Sequence, residues 1–271
     1  MFRSPGPIAL AFRLPADLPL VGGLSVSIRW YGVLIASSMA FGLWLAAREA
    51  VRRGESPDDL LKAAEIALIG GLAGARLYYV LFNLDYYQTQ PLWRMFAVWE
   101  GGLAIHGGLI AGLLAGGAYV WAKGLPLLTY LDIVAPSLPL GQAIGRWGNF
   151  FNEEAFGGPT ALPWKLYISE PRRPPAFVDN AYFHPTFLYE SVWNAGTFLV
   201  LYFVLRRRFE RAPGALFLAY LGLYSLGRFW VEGLRTDSLM LGSLRVAQLV
   251  SVAAVVVAAV GIPILLRRRP A

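Results

Sequence analysis

Residues 246–266 read VAQLVSVAAVVVAAVGIPILL, without one ionisable side chain. Crossing the hydrocarbon of a bilayer takes roughly 20 predominantly apolar residues in a helix, so this stretch alone predicts a transmembrane segment. Working back along the chain, LAIHGGLIAGLLAGGAYVWA at 103–122 carries only a histidine. Further apolar stretches lie near 28–47, 63–83, 125–145, 185–205 and 213–230, several with an ionisable residue inside. The composition agrees. Of the 271 residues 56% are hydrophobic and 15% charged, against about 25% charged in a soluble domain. A soluble enzyme, a nucleic-acid module and a disordered chain are therefore excluded. The net charge of +7 sits mostly in short arginine runs between apolar stretches, so no nucleic-acid partner is expected. The absence of cysteine removes a disulfide framework, a thiolate metal site and a cysteine nucleophile. The expected fold class is an all-α polytopic membrane protein of seven transmembrane helices, with 1–271 forming a single membrane domain. Residues 1–27 are broken by Pro and Gly and do not read as a cleavable signal.

Orientation follows from the basic residues of the short loops. One side collects Arg48, Arg52, Arg53, Lys62, Lys123, Arg206, Arg207, Arg208, Arg211, Arg267, Arg268 and Arg269, all close to span ends. The other side spreads its Arg and Lys over much longer segments, and Arg76 and Arg228 fall within spans. The positive-inside rule then places the N-terminus outside and the C-terminus in the cytoplasm. The longest outside segment, 146–184, is expected to form a small extracytoplasmic cap. Gly108, Gly112 and Gly116 on one span, and Gly70 and Gly74 on another, recur every fourth residue, which lets helix backbones approach closely in lipid.

Unusual polar residues gather at one depth. His106 lies about 5 Å inside the outer end of its span at the helical rise per residue. Arg146, His184, Tyr31 and the Arg228–Glu232–Arg235 triplet all fall near outer span ends. Each has a plain structural alternative. The triplet, spaced i, i+4 and i+7, makes an interfacial ion-pair ladder; Arg76 with Asp132 or Glu190 makes a buried pair fixing helix register; His106 donates to a carbonyl; and Trp93, Trp99, Trp147 and Trp164 form an interfacial belt. Only two histidines exist, no HExxH occurs and the carboxylates do not cluster, so neither a metal nor a cofactor is expected. Arginines at headgroup level suit a phosphate, through forked charge-assisted hydrogen bonds. A histidine titrates near neutrality and can accept a proton. Cations holding a phosphate also stabilise it as it leaves. The residues thus point to an enzyme acting on a phospholipid headgroup at the outer leaflet, with the acceptor left open.

Several strings resemble the prolipoprotein diacylglyceryl transferase family. The longest is GRWGNFFNEEAFG at 145–157, joined in family order by WYG at 30–32, GARLYYVLF at 74–82, IHGGLIAG at 105–112, HPTFLYES at 184–191 and YSLGRFWVEGLR at 224–235. The resemblance implies a seven-helix enzyme of the bacterial cytoplasmic (inner) membrane, with its active site facing the outer leaflet. It would transfer the diacylglyceryl group of phosphatidylglycerol to the thiol of the lipobox cysteine in a prolipoprotein signal peptide, releasing glycerol phosphate. Carried over by residue, Arg146 would bind the phosphate, with Asn149, Glu154 and Gly157 shaping the same loop. His106 would be the base for the thiol. Arg228 would be the second essential cation, with Tyr31, Tyr224, Glu232 and Arg235 around it. The sequence departs from the family where Glu153 replaces the usual glycine, where Phe187 replaces a common glutamine, and where Thr236–Asp237 follows Arg235 without the family's proline.

Three rivals are weaker. A retinal protein needs a lysine in the last span, and the only lysines are Lys62, Lys123 and Lys165. A transporter or scramblase would also use intramembrane charges, but no inverted repeat is visible. An intramembrane protease finds neither GxSxG around Ser225 nor paired aspartates.

Overall fold

The computed structural model describes residues 1–13 and 25–267. Arg268 and Arg269, counted above among the basic flanks, lie outside the described residues. In chain order the elements are β1 (Phe2–Arg3), β2 (Ile8–Arg13), β3 (Ser25–Arg29), α1 (Trp30–Arg52), α2 (Pro57–Leu81), α3 (Ile105–Ala122), α4 (Leu127–Val134) and α5 (Ser137–Asn152). After these come β4 (Leu166–Tyr167), β5 (Tyr182–Phe183), α6 (Thr186–Leu199), α7 (Ala215–Glu232), β6 (Met240–Leu241), β7 (Leu244–Arg245) and α8 (Val246–Arg267). Each of the seven apolar stretches is helical over most of its length. Among the described residues, five helical segments are long and apolar enough to cross a membrane: Trp30–Arg52, Ile105–Ala122, Leu127–Asn152, Thr186–Arg208 and Val246–Arg267. The chain is a mostly helical polytopic membrane protein. The strands qualify the all-α expectation. β1, β4 and β5 form a small sheet, and β2–β3 and β6–β7 form antiparallel pairs, which satisfy backbone groups in segments that are not helical.

Local chemistry sets the helix ends. Ser56 caps α2 by accepting from the Asp59 amide at 3.1 Å, Pro57 opens the first turn, and Asp58 and Asp59 favour its positive end. The apolar stretch at 125–145 is two helices rather than one. Pro136 has no amide hydrogen to donate, and the chain turns at Ala135–Pro136 between α4 and α5. After Leu199 the helix of α6 widens into a π-turn over Val200–Leu205.

The chain divides into two compact units, residues 1–42 with 134–271, and residues 43–133. In the second, α2 and α3 pack on their glycines as the spacing predicts. A Cβ on Gly74 would lie 2.1 Å from Ala111 Cβ and 2.7 Å from the Gly107 carbonyl oxygen, so nothing larger fits there. Asp132 in this unit has Arg53 as an ion-pair partner at 3.6 Å. In the first unit, α5, α6 and α7 are tied by side chains. Trp147 donates to Ser191 Oγ at 3.2 Å, Ser191 to the Ala143 carbonyl at 2.8 Å, Gln142 to Tyr220 at 2.9 Å and Trp193 to the Leu223 carbonyl at 2.8 Å. Residues 146–152 of the expected cap are the last two turns of α5. The remainder folds over a small apolar core of Phe150, Phe156, Leu166, Ile168, Phe183 and Phe187.

Candidate functional site

Three neighbouring helices in the first unit bring charged side chains together. Arg146, on α5, places Nη2 2.6 Å from Glu190 Oε2 on α6. Arg228, on α7, places Nη1 3.3 Å from the other oxygen of the same carboxylate. Arg228 Nη2 also lies 2.5 Å from Glu232 Oε2. Just past the end of α7, Arg235 approaches Glu190 Oε1 at 3.7 Å and forks onto Asp237 at 2.9 and 2.7 Å. Glu190 is 4% exposed and Glu232 2%, burial that a carboxylate tolerates only when paired. Sequence reasoning places Glu190 only as a partner for Arg76. Here it is the hub of the cluster, and the signal available was its position as an ionisable residue inside an apolar stretch.

The loop after α5 completes one side. Arg146 Nη1 donates to Asn149 Oδ1 at 3.3 Å, and Asn149 and Asn152 donate to Glu154 Oε1 at 3.0 and 3.2 Å. Gly157 threads between two segments: its amide donates to the His184 carbonyl at 3.0 Å, and a Cβ there would lie 2.8 Å from His184 Cβ and 2.9 Å from the Leu234 oxygen. Glu153 sits at φ +50°, a left-handed conformation that costs glycine least, which gives a physical reason for the family's usual glycine. Its carboxylate accepts from the Ser169 amide at 3.0 Å and from the Ser169 hydroxyl. Tyr31 lies over Gly148, where a Cβ would come within 2.2 Å of its ring. Tyr224, one turn before Arg228, stacks on Tyr220 at 5.9 Å. Burial alone would raise the Asp237 carboxyl, but the forked Arg235 bonds outweigh it and hold it below the ordinary aspartate range. Partial burial lowers His184 below the ordinary imidazole value; its Nδ1 lies 3.3 Å from the Tyr189 hydroxyl.

Alongside α6 and α7 lies an apolar groove of about 620 Å³, lined by residues including Trp164, Tyr189, Trp193, Gly196, Leu223 and Trp230. The Trp193 ring fills the space above Gly227 and forms part of the groove wall. His106 belongs to the second unit, in the first turn of α3. It is exposed, its ring 6.4 Å from that of Tyr78, and its imidazole has no hydrogen bond among the described residues. Arg76 pairs with neither Asp132 nor Glu190. It is buried and donates to backbone carbonyls instead. Among the described residues no group of three His, Cys, Asp or Glu side chains could hold a metal ion.

Residues 19–264 match the family model for prolipoprotein diacylglyceryl transferase. The chain belongs to the prolipoprotein diacylglyceryl transferase family. It is 49% identical over 267 residues to a protein of Gloeobacter violaceus, covering 98% of this chain and 95% of that one. It is 51% identical over 266 residues to a protein of Acaryochloris marina, covering 97% and 91%. It is 50% identical over 235 residues to a protein of Geobacillus kaustophilus, covering 85% and 86%. Each of these relatives bears the name phosphatidylglycerol–prolipoprotein diacylglyceryl transferase. Within this family member the arginine cluster joins three of the strings that carried the resemblance, at 145–157, 184–191 and 224–235.

Proposed function

We propose that this chain transfers the diacylglyceryl group of phosphatidylglycerol to the thiol of a lipobox cysteine in a prolipoprotein signal peptide. It works as a single seven-helix domain of the bacterial inner membrane. Its N-terminus is outside, its C-terminus is cytoplasmic, and residues 146–184 cap a site that faces the outer leaflet. The observation that carries this reading is the convergence of Arg146 and Arg228, from two helices, on one buried carboxylate. Two guanidinium groups that share a counterion in this way can fork onto a phosphodiester.

In the reaction the thiol sulfur, as thiolate, attacks the carbon of the diacylglyceryl group that is bonded to the phosphate oxygen. A C–S bond forms, that C–O bond breaks, and the electron pair leaves with glycerol phosphate. The thiol proton passes to His106. A free thiol titrates near pH 8.5, so a base assists at neutral pH. Arg146 and Arg228 offset the charge that builds on the departing phosphate. Asn149, Glu154 and Gly157 shape the loop that holds Arg146, Glu232 pairs with Arg228, Arg235 joins the cluster through Glu190, and Tyr31 and Tyr224 flank the headgroup. The groove beside α6 and α7 is lined by apolar and aromatic side chains, which suits an acyl chain of the donor.

The test is a transfer assay on purified protein in detergent, with phosphatidylglycerol and a lipobox peptide. Glycerol phosphate should appear only when the peptide carries its cysteine. Release should collapse in Arg146→Ala and Arg228→Ala, and fall by about 10²–10⁴-fold in His106→Gln, which removes the base. Thiol-independent release, or full activity in both arginine variants, would overturn the reading.

A further inference from the structure

The second unit holds a buried cation whose charge meets no carboxylate. Arg76 is 5% exposed and makes no ion pair among the described residues. Its Nε donates to the Met95 carbonyl at 2.9 Å, Nη1 to those of Gly101 and Gly102 at 2.6 and 3.1 Å, and Nη2 to that of Arg94 at 2.5 Å. Its guanidinium also lies 5.4 Å from the centre of the Tyr87 ring. Four of the five donors of the fork are thus spent on main chain, and no ligand is needed to satisfy them. A loop gathered in this way is a fixed object. Its carbonyls belong to short 3-10 turns and to Gly101 and Gly102 at φ +84° and +68°, so no regular ladder would pair them.

That loop leads directly into the helix that carries His106. Two residues after Gly102, the Ala104 amide donates to the Ala75 carbonyl at 3.0 Å, adjacent to Arg76 itself. On the other side of His106, a Cβ on Gly107 would lie 2.3 Å from Tyr78 Cβ and 2.4 Å from the Gly74 oxygen. His106 is therefore held between two backbone contacts with α2, and the chain approaching it is clamped by the guanidinium of α2. The N-cap of α3, Ala104, contributes no side-chain hydrogen bond.

We propose that Arg76 is the positioning residue for His106. It touches no substrate; it places the imidazole by holding the 94–102 carbonyls on α2. This rests on the reading of His106 as the base. A displacement of about 1 Å at a reacting group can cost about 100-fold in rate, so loss of the clamp should be read in kcat. In the transfer assay, Arg76→Ala should lower kcat by about 10- to 100-fold while KM for phosphatidylglycerol stays within about twofold, as the phosphate-holding residues lie elsewhere in sequence. The decisive arm is a cycle with His106→Gln, since residues that act through one another are not additive. In the His106→Gln background the Arg76→Ala effect should shrink to less than about twofold. Should Arg76→Ala fail to fold, Gly102→Ala asks the same question with Arg76 in place, because its Cβ would lie 2.8 Å from Arg76 Nη1 and 2.6 Å from the Tyr79 ring. Multiplicative losses in the double variant, or a change confined to KM, would overturn the proposal. A His106→Gln protein of wild-type activity would instead bring down the base reading, and this proposal with it, while leaving the arginine site intact.

Discussion

Replacing Glu190 by glutamine keeps the shape of the side chain and removes the charge on which three guanidinium groups converge. Arg146 should suffer most. Its Nη2 is 2.6 Å from Glu190, and its other side-chain anchor is the 3.3 Å bond to Asn149. Arg228 keeps Glu232 at 2.5 Å, and Arg235 keeps Asp237 at 2.7 Å. Breaking a buried ion pair from one side costs about 3–5 kcal/mol. The two arginine side chains are 22% and 19% exposed, which places the cost at the lower end, about 3 kcal/mol. Each kcal/mol moves Tm by about 2–4 °C in a chain of this size, so melting in detergent, followed by tryptophan fluorescence, should fall by about 6–12 °C. On activity, a hydrogen bond to a charged group is worth about 1.5–3 kcal/mol. Loosening Arg146 should therefore lower kcat/KM for phosphatidylglycerol by about 10- to 150-fold, at 1.4 kcal/mol per tenfold. The variant should resemble Arg146→Ala more than Arg228→Ala. Glu190→Asp, charged but shorter, should recover stability before activity. A Glu190→Gln protein that melts and transfers like wild type would refute the idea that this carboxylate organises the two cations.

Other perturbations separate the parts of the structure. No atom lies within 4 Å of a Cβ built on Gly196, so Gly196→Trp should fold and fill the groove; KM should rise more for long-chain than for short-chain phosphatidylglycerol, and unchanged chain-length selectivity would remove the groove from the donor's path. Gly74→Ala forces α2 from α3 against contacts of 2.1 and 2.7 Å and should cost about 1–3 kcal/mol of stability as overpacking does, read as a lower Tm. The Asp237 carboxyl is held below the ordinary value near 3.9, so its pair with Arg235 contributes fully above that pH and is lost as pH falls through the lower folded value. With its side chain 52% exposed, the pair is worth less than about 1 kcal/mol. The small Tm difference between wild type and Asp237→Asn should therefore be present at pH 7 and shrink as the pH falls below the ordinary aspartate value; a difference that grows on acidification would contradict the sign.

How far the sequence reaches depends on what pairs with what. The stretches at 103–122 and 246–266 were legible because a chain in lipid must satisfy its backbone within the segment, so hydropathy and helix coincide there. The same rule hides Pro136. Hydropathy runs unbroken through 125–145, yet the missing amide splits the helix into α4 and α5, and the proline itself was the available signal. The charged residues divide in the same way. A membrane tolerates ionisable side chains only with partners, so Arg76, Arg146, Arg228 and Glu190 stand out from any reading, but the partners do not. Arg146 and Arg228 meet on Glu190 through the packing of three helices joined by Trp147, Ser191 and Trp193, none of which carries charge. Pairing cations with acids then assigns Arg76 to Asp132 or Glu190, and this fails because its partners are not side chains. They are carbonyls of a loop whose shape is set by Gly101 and Gly102 at positive φ. A buried guanidinium that settles on main chain is therefore better evidence about the loop it holds than about any anion. In this chain that loop leads to His106.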